Sequence, residues 1–93
     1  MTTKPLEKVE SKQRLFDPYK VLLHNDDHNE MMHVVQSIVK SVPQIAQREA
    51  VSIMEEAHLT GVAVVIAAPL EYAEMYCDRL RSFGLVASIE QDV

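Results

Sequence analysis

Apolar and polar residues alternate along the chain in blocks whose spacing predicts strands and helices. The segment 19–24 is apolar and short enough for a first strand. In the next block, apolar residues recur with the 3, 4, 7, 8, 11 spacing of a helix that buries one face, at Met31, Val34, Val35, Ile38, Val39 and Val42. Asn29 is the predicted N-cap of this helix, where Glu30 would meet the positive end of the helix dipole.

The second half of the chain repeats this alternation. Pro43 disfavours a helical conformation at Val42, so we expect a turn before a second helix. The apolar positions of that helix are Ala46, Ala50, Ile53, Met54 and Ala57, and Gly61 is suited to end it. Residues 62–67 then predict a buried strand. A third helix opens near Pro69, is apolar on one face and ends before Gly84, and residues 85–89 predict a last strand.

The resulting order is β-α-α-β-α-β, which predicts an α+β domain with a small sheet of about three strands covered by three helices. Residues 1–17 show no periodicity and are predicted to be a flexible N-terminal extension, with the folded domain spanning 18–93. At 93 residues and 47% hydrophobic composition, the chain has room for one core.

Charge and cysteine content narrow the classes of function. The first 16 residues carry a net charge of +2, which leaves −7 for the rest of a chain whose total is −5. An acidic domain repels phosphate backbones, so nucleic acid binding is not expected. No apolar run approaches the roughly 20 residues that cross a bilayer, so no membrane partner is expected. The single cysteine, Cys77, is predicted to be buried in a reducing compartment, and the chain is interpreted as cytoplasmic.

Hydrogen-bonding side chains are concentrated where the first strand leads into the first helix. The run is His24-Asn25-Asp26-Asp27-His28-Asn29, which is rich in acceptors and poor in donors. Such a corner suits a small cation with several N–H groups, such as an ammonium, better than a phosphate. Turns and N-caps also use Asp and Asn, but they need only one such residue and here there are several.

His58 closes an apolar stripe on the second predicted helix. Met54, Ala57 and His58 lie within about one turn of each other, because residues three or four apart share a helix face. An imidazole that interacts with the helix dipole would explain His58 equally well, and Met31 and Val34 could be ordinary core residues.

Few features of the sequence support metal binding or catalysis. His24, His28, His58 and the aspartates have suitable ligand types, but no HxxxH or CxxC spacing defines a metal geometry. No G-x-S-x-G elbow and no glycine-rich phosphate loop is present. Asp27 and His58 could act as an acid–base pair, yet no nucleophile accompanies them. We therefore expect no cofactor and no enzymatic activity.

Several of these motifs together resemble the ClpS family of protease adaptors. The similarity extends from Tyr19 to about Glu90 and includes Tyr-Lys-Val-Leu-Leu-His-Asn-Asp-Asp, then Met31, the Ile53-Met54 to Ala57-His58 segment and Gly61. The resemblance implies a ClpS-like fold and an adaptor that binds N-terminal degrons beginning with Leu, Phe, Tyr or Trp. It also implies delivery of these substrates to the N-terminal domain of a Clp-type AAA+ unfoldase for degradation by its peptidase.

The same resemblance assigns roles to individual residues. Asn25, Asp27 and His58 would bind the free α-amino group, with Asp26 and Asn29 in the same corner. The hydrophobic pocket for the first side chain would be lined by Met31, Val34, Met54, Ala57 and Leu85, with Met31 acting as a gate against β-branched residues. Glu71 and Tyr76 would take part in docking to the unfoldase, and the N-terminal extension would be engaged by its pore during delivery.

Four positions depart from the family pattern. Tyr76 stands where the family often has a basic residue on the third helix for contacting the unfoldase. The family commonly has Thr and Pro where this chain has Asn29 and Glu30, and Val where it has Ala57. The preference for the first residue of the degron is therefore expected to be narrower than in the family, or shifted to other residues. The alternative function is a pocket-independent interaction module of similar fold, like the C-terminal domain of the ribosomal stalk protein.

Overall fold

The computed structural model describes residues 17–92. The order is β-α-α-β-α-β, as predicted. The elements are β1 (Pro18–His24), α1 (Met31–Ser41), α2 (Gln47–Thr60), β2 (Val62–Pro69), α3 (Leu70–Ser82) and β3 (Ala87–Gln91). The predicted flexible extension lies outside the described residues, except for Asp17.

The three strands form one antiparallel sheet in the order β2-β1-β3, so β1 is the central strand. Between Val21 and Leu22 the register with β2 shifts, because Val21 faces Ile66 and Leu22 faces Val64. Along β2, Ala63 and Val65 are buried whereas Val62 and Val64 are partly exposed. One face of the sheet therefore carries the helices and the core.

The core is formed by the apolar faces that the spacing predicted. Val34, Val35 and Ile38 of α1 are buried, as are Ala50 and Ile53 of α2. Packing contacts join α1 to α2 and α3, and α3 contacts all three strands. Ile38, Leu80 and Val21 are among the largest fully buried side chains, which places the centre of the core between α1, α3 and β1.

Both glycines end helices in the left-handed conformation that residues with a side chain rarely adopt. Gly61 has φ of 96° directly after α2, and its N–H donates to Ala57 O. After α3, the Gly84 N–H donates to Arg81 O and the Leu85 N–H donates to Leu80 O, which is the Schellman arrangement. Because the Leu85 N–H is used in this way, β3 begins at Ala87, two residues later than predicted.

The predicted N-cap of α1 is wrong by one position. The N-cap residue is Glu30, whose side chain makes no capping hydrogen bond. The side chain of Asn29 is instead turned toward Asp26 and Gly84. This alternative use of Asn29 shapes the site described next.

Candidate functional site

The polar corner after β1 is held between the ends of two other elements. Its first residues are anchored by backbone hydrogen bonds, from His24 N–H to Val86 O (2.8 Å) and from Asn25 N–H to Gly61 O (3.0 Å). Gly61 follows α2 directly, so the second bond brings the corner beside the last turn of α2, where His58 lies. Because β1 is the central strand, its end contacts both the α2–β2 connection and the α3–β3 connection.

A cavity of about 250 Å³ opens at this corner. It brings together all the residues predicted to bind the amino group and most of those predicted for the hydrophobic pocket. The lining residues are Leu23, His24, Asn25, Asp26, Asp27, Asn29, Met31, Val34, Met54, Ala57 and His58. The polar residues come from the end of β1, the β1–α1 connection and the last turn of α2, while the apolar residues come from the end of β1, the start of α1 and the second half of α2.

Leu85 is the one predicted pocket residue that does not line the cavity. It is only 4% exposed and belongs to the hydrophobic core. The Schellman arrangement after α3 turns this residue into the core. Leu23 and His24, at the end of β1, line the cavity although the sequence interpretation did not include them. The alternation of β1 could have suggested Leu23, since every second residue of a strand faces the core.

Asp26 has a structural role at this corner. Its Oδ1 accepts hydrogen bonds from the backbone N–H groups of His28 (2.8 Å) and Asn29 (2.9 Å). The Asn29 Nδ2 donates to both carboxylate oxygens at 3.2 Å and to Gly84 O at 2.9 Å. We call this arrangement of Asp26, Asn29 and Gly84 the corner clamp, because it ties the β1–α1 connection to the turn before β3.

The corner clamp also affects ionisation. Partial burial opposes the charge on Asp26, but the hydrogen bonds donated by Asn29 and His28 outweigh it and lower the pKa of this carboxyl below 3.8. The carboxylate is thus charged at neutral pH and is already engaged by protein donors. It shapes the corner and adds negative charge to the cavity.

Asn25, Asp27 and His58 differ from Asp26 in that their side chains have no hydrogen-bond partner among residues 17–92. All three are exposed and face the same cavity. An amide oxygen, a carboxylate and an imidazole are therefore available to a ligand. Ligand N–H groups are what this set of acceptors can bind.

The remaining predicted residues lie elsewhere. Tyr76 is 9% exposed, and its hydroxyl accepts a hydrogen bond from Gln44 Nε2 at 2.9 Å. The sequence interpretation put Tyr76 on a docking surface, but the ring packs in the core, and Glu71 is the exposed member of that pair. Within residues 17–92, no group of three His, Cys, Asp or Glu side chains is arranged to hold a metal ion.

Comparison with known proteins identifies the family. A family model described as "ATP-dependent Clp protease adaptor protein ClpS" matches residues 14–88. The chain belongs to the ClpS family of Clp protease adaptors. The Clp protease adapter protein ClpS of Synechococcus elongatus is 45% identical over 94 residues, with 99% of each chain covered.

Another relative agrees with this assignment, and one solved structure agrees with the fold. The chloroplastic adapter CLPS1 of Chlamydomonas reinhardtii is 48% identical over 96% of this chain, which spans 55% of that longer protein. The structure of Agrobacterium tumefaciens ClpS2 bound to L-phenylalaninamide superposes with a TM-score of 0.77 at 24% identity, covering 82% of this chain and 98% of that one. The predicted ClpS-like fold is thereby confirmed. In the part of the chain that the structure describes, no helix has the length and apolarity to cross a bilayer.

Proposed function

We propose that this ClpS-family chain is a non-enzymatic adaptor whose cavity binds the first residue of N-terminal degrons. The observation that carries the proposal is that Asn25, Asp27 and His58, whose side chains have no hydrogen-bond partner among residues 17–92, converge on a cavity that also has an apolar wall. Such a site can bind an ammonium group and a hydrophobic side chain at the same time. Only the first residue of a polypeptide with an unblocked end presents both on one carbon atom.

The polar wall suits the α-amino group. An ammonium has three N–H donors, and the site offers the Asn25 amide oxygen, the Asp27 carboxylate and, in its neutral form, one nitrogen of His58. Hydrogen bonds that involve a charged group contribute about 1.5 to 3 kcal/mol each. N-acetylation removes the charge and most of the donors, and interior peptide segments lack the cation altogether, so both should bind far more weakly.

The apolar wall suits one large side chain. Val34 and Ala57 are buried, and Met31 and Met54 lie nearer the surface. Ligand sites for drug-sized molecules begin at about 300 Å³, so a cavity of about 250 Å³ is matched to a single residue. Burying a Leu-sized side chain contributes about 1.5 to 3 kcal/mol. After the cost of association, the sum corresponds to roughly micromolar affinity.

Leu, Phe, Tyr and Trp are the proposed first residues, with the smaller Ala57 expected to shift preference among them. Substrates bound in this way would be delivered to the N-terminal domain of a Clp-type AAA+ unfoldase in the cytoplasm. Exposed Glu71 remains the candidate docking residue, because Tyr76 is buried. The alternative, a pocket-independent interaction module, would not use the cavity. It gives no role to the side chains of Asn25, Asp27 and His58, which have no hydrogen-bond partner among residues 17–92.

Peptide titration tests the proposal. A Leu-initiated peptide with a fluorophore at its far end is titrated by anisotropy against its N-acetylated twin. We expect the free-amine peptide to bind at least about a hundredfold more tightly, the equivalent of two lost charge-assisted bonds. Equal affinity for the two peptides would favour the interaction module and overturn the proposal.

A matched pair of variants locates the effect. Asp27→Asn removes one charge with little change of shape and should weaken the free-amine peptide by about tenfold or more, and far more than the acetylated twin. Asp78→Asn makes the same charge change at an exposed position of α3 that lines none of the cavities described, and should have no such effect. Similar losses in both variants would mean that only long-range charge matters.

A further inference from the structure

Two methionine side chains form part of the apolar wall of the proposed degron cavity. Met31, at the start of α1, and Met54, on α2, both line the cavity of about 250 Å³. The other apolar lining residues, Leu23, Val34 and Ala57, have purely aliphatic side chains. A methionine differs from these because oxidants convert its sulfur to a sulfoxide, which is polar. The cavity wall therefore contains atoms whose polarity an oxidant can change.

The methionines of the described chain differ in how far an oxidant can reach them. Met31 is 51% exposed and its neighbour Met32 is 56% exposed. Met54 and Met75 are partly buried and pack against the core. Oxidation requires the oxidant to contact the sulfur, so Met31 and Met32 should react before the other two. Of this exposed pair, only Met31 lines the cavity.

We propose that Met31 is an oxidation site through which peroxide lowers the affinity of the cavity for N-terminal degrons. The inference rests on the proposed function, in which the first side chain of the degron packs against Met31. In the reaction, the thioether sulfur attacks one oxygen of hydrogen peroxide, the O–O bond breaks and a sulfur–oxygen bond forms. The departing hydroxide takes the proton of the transferred oxygen and leaves as water. Methionine loses two electrons and peroxide gains them.

The loss of affinity follows from the polarity of the sulfoxide. Its oxygen accepts hydrogen bonds from water, and a Phe or Leu side chain packed against it would displace that water without offering a donor. Burial of a polar group without a partner is unfavourable, and we expect it to weaken binding by about tenfold. The acceptors proposed for the α-amino group are unchanged, so part of the affinity should remain.

The modification is chemically reversible. Methionine sulfoxide reductases restore the thioether, which distinguishes this lesion from irreversible damage. Cys77 is a second oxidisable side chain, but it is only 3% exposed and lines none of the cavities. Oxidation at Met31 would therefore reduce degron binding while an oxidant is present and permit recovery afterwards.

The test compares the natural full chain with Met31→Leu and Met32→Leu. Leucine is close to methionine in volume and carries no sulfur. Met32 is as exposed as Met31 and lies next to it on α1 but lines no cavity, so its variant is the matched control. Each protein is treated with hydrogen peroxide, and mass spectrometry of its peptides reports which methionines carry oxygen. Anisotropy then gives the affinity for a Phe-initiated peptide, relative to the same protein before treatment.

We expect peroxide to weaken binding by about tenfold in the natural chain and in Met32→Leu, but by about twofold or less in Met31→Leu. A methionine sulfoxide reductase with dithiothreitol should restore the affinity of the treated natural chain. Equal losses in the two variants, or full affinity after conversion of Met31, would overturn the inference. So would an unmodified Met31 at a peroxide concentration that converts Met32. Failure of the proposed function looks different, because the untreated chain would then bind the N-acetylated peptide as well as the free one.

Discussion

Replacement of Asn29 by Ala removes the side chain at the centre of the corner clamp. The two hydrogens of Asn29 Nδ2 serve three acceptors, one on Gly84 and two on the Asp26 carboxylate. These contacts amount to one ordinary hydrogen bond and one shared, charge-assisted bond. Neutral bonds contribute about 0.5 to 1.5 kcal/mol and bonds to charged groups about 1.5 to 3.

Two features reduce the expected loss. The Gly84 carbonyl is exposed and can accept a hydrogen bond from water in the variant, and Asp26 keeps its two backbone donors. We therefore expect Asn29→Ala to lower the free energy of unfolding by about 1 to 2 kcal/mol. For a domain of this size each kcal/mol corresponds to about 4 to 8 °C in melting temperature. Urea titration and a thermal melt at neutral pH measure the loss.

Asn25→Ala is the matched control. Both substitutions remove an asparagine side chain from the same connection, but that of Asn25 is exposed and has no partner among residues 17–92. Asn25→Ala should leave the unfolding midpoint nearly unchanged while weakening the free-amine peptide. If the two variants unfold at the same urea concentration, the corner clamp contributes nothing and the reasoning is refuted.

The contribution of the clamp also depends on pH. Hydrogen bonds lower the pKa of Asp26 in the folded chain, so the folded state binds this proton less readily than the unfolded state does. The stabilisation is fully present above 3.8 and is lost as the pH falls through the lower folded-state value. The difference in stability between the natural chain and Asn29→Ala should therefore shrink below that pH.

Three further predictions concern other parts of the chain. Ala57→Val adds two methyl groups to a buried wall of the cavity and introduces the residue that the family commonly has, so it should change the relative affinities for Leu-, Phe-, Tyr- and Trp-initiated peptides, with Trp losing most; a uniform change would argue against a size limit at this wall. Deletion of residues 1–16 should leave peptide affinity intact but impair degradation by a reconstituted Clp protease, and loss of both would refute separate roles. Burial raises the pKa of the Cys77 thiol, so alkylation near neutral pH should be slow in the folded chain and fast in urea; equal rates would mean that the thiol is accessible.

The helices and strands were predicted correctly because each depends on the spacing of apolar residues within a short segment of the chain. All six elements and their order were anticipated, and the start of α1 at Met31 and the left-handed Gly61 are confirmed. The errors occurred where a residue had two possible partners. Asn29 was assigned to the N-terminus of α1, but its side chain binds Asp26 and Gly84 instead. Gly84 lies 55 residues away from Asn29 in the sequence.

The same distinction applies to the candidate site. Residue types in the connection after β1 already pointed to an acceptor-rich corner, and the resemblance to ClpS proteins added His58 from a distant helix. Leu85 and Tyr76 were predicted to line the pocket and a docking surface, and the structure adds that both side chains are buried, which depends on how α3 meets the sheet. No local pattern reports that geometry.

By itself, the sequence determined the helices, the strands, the acidic charge and the chemistry of the corner, because periodicity, capping and side-chain type act over a few residues. The tertiary structure alone decided that β1 is the central strand, that the Asn25 N–H binds Gly61 O, and hence that His58 and Asp27 line the same cavity. Pairing of distant segments is selected by the burial of the whole core, which no single stretch of the chain encodes.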